Sequence, residues 1–431
     1  MTSIGNDVNG TNVLERLQEL PGGAELLAAA RAEPGEVELV GGAVRDILLA
    51  RIPSELDVVV AGDAHAFAQN LAQRLGAEKV TRHERFQTAQ VRWKDGEIDI
   101  AMRRSETYLS PGALPEVAAG SAEQDLKRRD FTINAIAVEL AGEQPGRLRS
   151  VEHAFEDLAA GVLRVLHDAS FQDDPTRILR IVRYGSRLGF EIEPHTANLL
   201  AEALTGDALQ TLSGQRLGAE LRLALAEEDP IEPLAELERL GVLRAWQEGV
   251  SFDRDLTSAA LEMLPAAAEA SQRLTLVSSL LLELSDRLGK EDTEPQMLGF
   301  LYDLQMPRGK GDAFWTAINA VFIADNAAIV DTVSELIELM GSANAEALVL
   351  AAATCDQREG PDSRGKAVVI DWLVRQRHLA LQLTGDDLLA AGVPEGREIG
   401  ERLEEAYIQL LEGKIQPGRE NEMKAALEVW I

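Results

Sequence analysis

A strand, a double glycine, a helix and a second strand follow one another within residues 37–62, and this order constrains the fold more than any other stretch. Apolar residues dominate 37–40, which predicts a short buried strand. After the glycines, the apolar residues of 44–48 recur at helical spacing, and 56–60 return to a strand pattern. The order therefore predicts a domain that mixes strands and helices.

The two glycines, Gly41 and Gly42, predict a turn that can hold a phosphate group. Because they lack a Cβ atom, their backbone can approach a bulky anion and adopt a positive φ without strain. The helix that they open leaves its first N–H groups unpaired and its positive dipole end forward. Arg45 lies in the first turn of this helix, so we expect an anion at this corner.

An acidic pair follows the predicted helix. Glu55 and Asp57 are two residues apart on a predicted strand, so their side chains point to the same face. Carboxylate oxygens suit Mg²⁺, which also takes phosphate oxygens and water, and metal ions assist nucleotidyl transfer by stabilising charge and aligning the attacking hydroxyl with the α-phosphate. Asp99, on a second predicted strand, is a candidate third acidic group. Alternatively, Glu55 and Asp57 lie at the solvent-exposed end of a strand and have no role in metal binding, and Asp99 likewise faces solvent.

Composition limits the classes of protein to which this chain can belong. The single cysteine, Cys355, excludes an internal disulfide framework and a cysteine zinc cluster. The sequence opens without a basic and apolar leader, and no apolar run approaches the roughly 20 residues that span a bilayer. We therefore expect a cytoplasmic protein with no membrane partner. The net charge of −30 also predicts no DNA partner, because contacts to phosphate need Lys and Arg. Any RNA must therefore bind to a local group of basic residues.

Periodicity predicts further elements in the first part of the chain. A helix at 13–31 is interrupted by Pro-Gly-Gly, and a second helix covers 64–75. Two strands are predicted at 89–93 and 97–102, separated by a turn. The stretch 103–122 lacks periodicity and contains two prolines, which predicts a loop.

A basic run lies against an apolar segment within 125–138. Residues 128–135 read Arg-Arg-Asp-Phe-Thr-Ile-Asn-Ala. A run of charged residues usually lies on a solvent-exposed face of the protein. A run beside residues as apolar as Phe131 and Ile133 more often binds a ligand. With the double glycine and the acidic pair, this run resembles the head domain of class II tRNA nucleotidyltransferases and bacterial poly(A) polymerases, in the polymerase β-like superfamily. The resemblance implies an α+β fold, in which a small mixed sheet with helices precedes an all-helical neck, body and tail.

Residues 171–184 resemble the neck helix of the same family. Arg177, Arg180 and Arg183 recur every three residues. Asp174 stands three residues before the first of them, so the spacing predicts one shared helix face. An aspartate beside an arginine offers an acceptor and a donor fork that can match the edge of a base. In the family this pairing selects CTP and ATP without a nucleic-acid template. The alternative is an exposed helix with salt bridges.

The resemblance covers most of the chain, and it implies a domain division, a site and a function. The implied segments are an N-terminal extension at 1–30, a head at 31–148, a neck at 149–225, a body at 226–330 and a tail that contacts tRNA at 331–431. The implied catalytic acids are Glu55, Asp57 and Asp99, of which Glu55 and Asp57 would bind Mg²⁺ or, alternatively, Mn²⁺. The implied nucleotide-binding residues are Gly42 and Arg45 for the triphosphate, Arg129 and Asp130 for the phosphate and ribose side, Asp174 and Arg177 for the base edge, and Arg180 and Arg183 for both base and phosphates. The implied function is template-independent addition of C and A residues to the tRNA 3′ end from CTP and ATP.

Three departures from the family pattern leave narrower functions open. Glu55 stands where the family usually has the shorter aspartate, which predicts slower activity or a preference for Mn²⁺. Residues 150–158 lack the proline and paired glycines that the family has at the hinge between head and neck. A stiffer hinge would hinder the switch from CTP to ATP, and so the completion of the CCA end. No basic residue lies between Thr107 and Glu123; if that loop helps ATP to enter, a CC-adding enzyme is favoured. An A-adding or poly(A)-adding enzyme, and a degenerate homologue that binds RNA or nucleotide without turnover, are further alternatives.

Overall fold

The structure is a computed structural model that describes residues 10–84, 87–264, 271–288, 293–309 and 312–428. The chain divides into a first compact unit that ends at Glu220 and a second that begins at Leu221. The finer division into five segments stays a prediction.

A seven-stranded mixed sheet forms the centre of the first unit. The strands of this unit are β1 Val37–Val40, β2 Leu56–Val60, β3 Lys79–His83, β4 Thr88–Trp93, β5 Gly96–Met102, β6 Arg104–Thr107, β7 Glu116–Ala119, β8 Ile136–Ala141, β9 Leu148–Ser150, β10 Val162–Leu163 and β11 Glu191–Ile192. The large sheet has the order β3-β4-β5-β2-β1-β8-β9. In this sheet β2 and β5 are parallel, and the other neighbours run antiparallel. The predicted mixed sheet is thus confirmed.

Helices accompany this sheet and continue to the boundary of the unit. They are α1 Gly10–Glu19, α2 Gly23–Ala32, α3 Gly42–Leu48, α4 Ala64–Leu75, α5 Ala122–Lys127, α6 Ala154–Ala160, α7 Ser170–Asp173, α8 Thr176–Leu188, α9 Pro194–Thr205 and α10 Gly214–Ala224, the last of which crosses the unit boundary. The predicted helix at 64–75 and the break in the N-terminal helix are confirmed. Asp63 caps α4, because its Oδ1 accepts the backbone N–H groups of His65 and Ala66.

A small apolar cluster places α5 against the face of the sheet that carries the candidate site. Val40 of β1, Val59 of β2, Ala137 of β8 and Leu126 of α5 are all buried in this cluster. Asp57 shares a face with Val59, because side chains two residues apart on a strand point the same way. Burial of Leu126 therefore holds the basic run that follows α5 beside Asp57.

The predicted loop at 103–122 is wrong in part, because two short strands form there. β6 pairs antiparallel with β7, with Arg104 opposite Ala119 and Thr107 opposite Glu116. Neither strand alternates apolar and polar residues, since this hairpin is partly exposed. Its pairing was therefore invisible to a search for hydrophobic periodicity.

The second unit is helical throughout its described part. Its helices are α11 Ile231–Arg239, α12 Val242–Trp246, α13 Arg254–Met263, α14 Gln272–Ser279, α15 Leu282–Asp286, α16 Thr293–Asp303, α17 Ala313–Asn326, α18 Val333–Met340, α19 Ala345–Glu359, α20 Arg364–Val374, α21 Gly385–Ala390, α22 Arg397–Leu411 and α23 Arg419–Glu428. One of its apolar cores surrounds α19, whose residues 347–352 are inaccessible to solvent. Among the described residues no single helix is long and apolar enough to cross a membrane; α18 and α19 meet that test only as a pair bent by 113°.

Candidate active site

Two of the predicted acids lie side by side in the sheet. Asp57 on β2 and Asp99 on β5 stand opposite each other in the parallel register, so both side chains project from the same face. They line a cavity of about 390 Å³ together with Arg128 and Arg129 of the basic run. Glu55 precedes β2 and is exposed. The fold thus brings acids from two separate strands to the basic run.

The electrostatics of this cavity favour a cation. Burial, then the charge of Glu55, raise the pKa of Asp57 to about 7; Arg129 opposes this shift and Asp99 adds to it. Burial also raises the pKa of Asp99. No three His, Cys, Asp or Glu side chains within the described ranges form a metal-binding group. A divalent ion here would therefore use one or two carboxylates and complete its shell with phosphate oxygens and water, as Mg²⁺ commonly does, and the residues present fit it.

The double glycine opens α3, as predicted, but its two members differ in what requires a glycine. Gly41 has φ 71° and ψ −136°, a conformation that favours glycine. A Cβ at Gly41 would lie 2.8 Å from Nη1 of Arg129 and 3.6 Å from Oδ2 of Asp57. A Cβ at Gly42 would meet nothing closer than Nη2 of Arg45 at 3.5 Å, an ordinary contact. Packing within the protein therefore explains why position 41 requires a glycine, whereas it gives no reason for a glycine at position 42.

Arg45 is buried beneath the glycine turn, with 1% of its surface exposed. Its Nη1 donates to Oδ1 of Asn134 at 2.6 Å, and its Nε donates to Oδ1 of Asp46 at 2.8 Å. Its guanidinium carbon lies 5.3 Å from the centroid of the Tyr184 ring. These contacts join α3 to the segment after the basic run, and binding of a triphosphate by Arg45 stays a prediction.

The buried carboxylate of Asp125 organises the basic run. Its Oδ1 accepts Nε and Nη2 of Arg128 at 3.0 and 2.8 Å, and its Oδ2 accepts Nη2 of Arg129 at 3.0 Å. Nε of Arg129 is buried and has no hydrogen-bond partner among the described residues. An unpaired guanidinium donor is costly to bury, so this N–H marks a position where an anion would be stabilised.

Asp130 joins the basic run to α8. Its Oδ1 accepts the N–H of Phe131 and Nδ2 of Asn134, at 2.9 and 3.0 Å. Its Oδ2 accepts Nε and Nη2 of Arg180, at 3.1 and 2.7 Å. Burial alone would raise the pKa of Asp130, but the charge of Arg180 and these hydrogen bonds outweigh burial and lower the pKa to about 2.

The predicted shared face of Asp174 and the α8 arginines is wrong in one respect. α8 begins only at Thr176, and Asp174 lies before it with an extended φ of −137°. Pro175 explains this, because a residue that precedes proline is disfavoured from the helical region. Oδ1 of Asp174 accepts Nη2 of Arg216 at 2.9 Å, while Nη2 of Arg177 donates to the carbonyl of Arg128 at 3.0 Å. The side chains of Asp174 and Arg177 are thus held by different partners rather than by each other.

Tyr184 on α8 is the aromatic centre of the arginine cluster. Its hydroxyl accepts Nη2 of Arg180 at 3.1 Å, and its ring packs edge-on against Phe131. Nη2 of Arg183 lies 3.7 Å from Oε2 of Glu220. The guanidinium carbons within 5.1–5.5 Å of the Tyr184 ring centroid are those of Arg45, Arg180, Arg183 and Arg187.

Sequence reasoning missed several residues of this region. Asp125 was detectable, because it stands three and four residues before Arg128 and Arg129, a spacing that joins side chains on a helix. Tyr184 was also detectable, because Arg180 stands four residues before it and Arg187 three residues after it. Arg216 carries no local signal, since its partners Gly112 and Asp174 lie far away in sequence. The surroundings of Tyr108 depend on the unexpected hairpin.

A mixed sheet that places paired carboxylates beside a glycine turn and a basic run, followed by helices, is the arrangement that the resemblance to nucleotidyltransferases implies. Residues 37–164 match the model of the poly A polymerase head domain. The predicted resemblance to tRNA nucleotidyltransferases and poly(A) polymerases is therefore confirmed.

Similar proteins and structures support the same assignment. The chain is 44% identical over 209 residues to the A-adding tRNA nucleotidyltransferase of Geobacter sulfurreducens, a match covering 48% of this chain and 24% of that protein. It is 41% identical over 202 residues to the CC-adding tRNA nucleotidyltransferase of Deinococcus radiodurans, covering 46% and 53% respectively. These matches span about a quarter and about half of the relatives' lengths. The structure of a CCA-adding enzyme in an apo form superimposes with a TM-score of 0.78 at 25% identity, covering 97% of this chain and 96% of that one, which confirms the predicted fold class.

Proposed function

We propose that the protein is a cytoplasmic, template-independent nucleotidyltransferase that adds C and A residues to the tRNA 3′ end from CTP and ATP. The observation that carries this proposal is the juxtaposition of Asp57 and Asp99 with Arg129, whose buried Nε has no partner among the described residues. Acids that attract a cation and a donor that lacks an anion are what a metal-bound triphosphate requires.

The acids supply the metal site in this proposal. Asp57 and Glu55 would hold Mg²⁺ or Mn²⁺, with Asp99 beside them. Such an ion stabilises charge on the transferring phosphate and orients the attacking hydroxyl. The raised pKa of Asp57 supports this role, because its surroundings disfavour an uncompensated negative charge.

The chain's own donors would bind and orient the nucleotide. Arg129 reaches toward the glycine turn, and its free Nε can donate to a phosphate oxygen. Gly42 would let the triphosphate approach the backbone, which would account for a glycine that packing does not require. Arg45, Asp130, Arg180 and Arg183 would act mainly by fixing this constellation, because Arg45, Asp130 and Arg180 are already engaged with protein partners.

Asp174 and Arg177 would bind the base edge. Oδ1 of Asp174 is held by Arg216 and by Thr176, which leaves its Oδ2 without a protein hydrogen bond in the described structure. A carboxylate fixed through one oxygen presents the other as an oriented acceptor for an exocyclic amino group. Adenine and cytosine both carry such a group, which supports the choice of ATP and CTP.

A second candidate, addition of A alone, is favoured by the name of the relative from Geobacter sulfurreducens, while the relative from Deinococcus radiodurans is named for addition of CC. The test uses tRNA transcripts that lack one, two or three terminal nucleotides, incubated with CTP, ATP or both. Three additions that need both nucleotides are expected. A single A on the transcript that ends in CC, with no C added to the others, would establish the A-adding alternative, and two C additions without A would establish the CC-adding one. Absence of any product with Mg²⁺ or Mn²⁺ would leave a nucleotide-binding homologue without turnover.

The Glu55→Asp variant tests the altered acid. If the longer side chain misplaces the carboxylate by about 1 Å, the substitution should raise the rate by up to about 100-fold. Asp57→Asn serves as the matched control and should abolish addition. An unchanged rate for Glu55→Asp would show that the longer acid is tolerated.

A further inference from the structure

We infer that Tyr108, at the end of β6, forms the stacking surface for the nucleotide base whose edge is bound by Asp174 and Arg177. The inference rests on the proposed function and extends it to a residue outside the motifs that carry the family resemblance. Two separate chains of hydrogen bonds lead from the hairpin that carries Tyr108, one to each member of the base-edge pair.

The first chain leads from the hairpin loop to Asp174. Gly112 of this loop donates its N–H to the carbonyl of Gln172 at 3.0 Å. The carbonyl of Gly112 accepts Nη1 of Arg216 at 2.7 Å, and Nη2 of the same arginine donates to Asp174 at 2.9 Å. Gly112 has φ 70°, and a Cβ there would lie 2.2 Å from Oγ1 of Thr211. The loop is therefore closely seated beside the Asp174 carboxylate.

The second chain leads from Tyr108 itself to Arg177. The Tyr108 hydroxyl donates to Oε2 of Glu106 at 3.2 Å, and Oε1 of Glu106 accepts Nη1 of Arg128 at 3.2 Å. The carbonyl of Arg128 then accepts Nη2 of Arg177 at 3.0 Å. Arg128 also lines the cavity that contains Asp57. Tyr108 is thus connected to the arginine of the base-edge pair and to the wall of the catalytic cavity.

The condition of the Tyr108 side chain suits a stacking role. The ring is partly exposed, and its hydroxyl is fixed by Glu106, so the ring is oriented before a base arrives. Burial and the charge of Glu106 raise the pKa of Tyr108 to about 12, with Arg177 opposing and Asp174 adding to the shift. The phenol therefore stays neutral at any working pH. Every base has a π-face, so stacking on an aromatic ring strengthens binding of both nucleotides while Asp174 and Arg177 discriminate.

The test compares Tyr108→Ala, Tyr108→Leu and Tyr108→Phe with wild type, and uses Tyr302→Ala, an exposed tyrosine of α16, as the matched control. We expect Tyr108→Ala and Tyr108→Leu to raise the KM for CTP and ATP about tenfold or more, with the larger rise for the larger base of ATP. Their KM for tRNA and their melting temperatures should stay unchanged. Tyr108→Phe keeps the ring and should stay within about threefold of wild type. Tyr302→Ala should behave as wild type.

Three results would overturn the inference: an unchanged nucleotide KM in Tyr108→Leu, an equal loss in Tyr108→Phe, or a KM for tRNA that rises in parallel. Tyr108→Leu keeps apolar volume, so it reports on the ring even if Tyr108→Ala fails to fold. Calorimetric titration of the same variants with ATP alone separates this inference from the proposed function. Wild-type protein that binds ATP but adds no nucleotide would refute the function, and the titration would still decide the role of Tyr108.

Discussion

The ion pair between Asp130 and Arg180 should contribute a measurable, pH-dependent part of the stability of the first unit. The two residues are joined by two hydrogen bonds, and Asp130 has only 8% of its surface exposed. The pKa of Asp130 falls from 3.8 to about 2 in the folded protein. At about 1.4 kcal/mol per pKa unit, the folded state gains about 2 kcal/mol from ionisation of this carboxyl.

The sign of the pH dependence follows from the direction of the shift. A carboxyl with a lowered pKa stabilises the folded state fully at any pH above its unfolded pKa, near 4. This stabilisation is lost as the pH falls from about 4 through the folded pKa of about 2. Asp130→Asn keeps the shape and the contact with Asn134 but removes the charge. We therefore expect this variant to lose about 2 kcal/mol at pH 7, and most of the difference from wild type to disappear near pH 2.

Urea unfolding of both proteins, followed by circular dichroism at several pH values between 7 and 2, measures this difference. Asp95→Asn, in the exposed turn between β4 and β5, is the matched control for the loss of one carboxylate and should leave the free energy of unfolding almost unchanged. A loss for Asp130→Asn that stays constant from pH 7 to pH 2 would refute the linkage reasoning. A loss below about 0.5 kcal/mol at pH 7 would refute the claim that the pair contributes as a buried ion pair.

Three further substitutions probe the candidate site. Gly41→Ala should destabilise the protein by about 1–3 kcal/mol and weaken nucleotide binding, because its Cβ would displace Arg129 and its φ is positive. Gly42→Ala should leave stability unchanged and weaken the binding of both CTP and ATP. Equal thermal stability of the two variants would contradict this. Asp57→Asn should raise the melting temperature of the metal-free protein at pH 8 and remove the gain in stability expected as pH falls from 8 to 5. The reason is that the folded state, with a pKa of about 7 at Asp57, binds the proton more tightly than the unfolded state; a lower melting temperature at pH 8 would contradict this.

Local patterns in the sequence predicted the elements that build the site. The order strand, double glycine, helix and strand was recovered as β1, α3 and β2, and the helix at 64–75 matches α4. The helices α3 and α4 each bury an apolar face, and β1 is buried along its whole length, so apolar periodicity and a short apolar run carry the information. The hairpin of β6 and β7 was not predicted, because its strands are partly exposed. Hydrogen bonds of its loop to Gln172 and Arg216 hold it in place.

Local sequence patterns could not predict which side chains of the site bond to each other. Arg45 donates to Asn134, 89 residues away, and Asp174 is held by Arg216, 42 residues away. Spacing along a helix predicted instead that Asp174 would share one helix face with Arg177, three residues on. Pro175 prevents this by keeping Asp174 out of the helix. The residue types of the site could thus be predicted from the sequence, whereas the pairing within it depends on the tertiary fold.

The pairing of the arginines bears on how an acidic chain can bind a triphosphate. Arg45, Arg177 and Arg180 each donate to a carboxylate, an amide oxygen or a carbonyl of the protein. A nucleotide that had to break these bonds would lose much of what it gained, because each buried partner would be left unsatisfied. Arg129 differs, since its buried Nε has no partner among the described residues, so that no existing bond must be broken, and Arg129 lines the cavity that contains Asp57. The engaged arginines can still stabilise the ligand without moving, because fixed charges in a site of low dielectric require no reorganisation. Arg129 is therefore the residue at which binding of the phosphates should begin, and the arginines around Tyr184 supply a fixed positive field behind it.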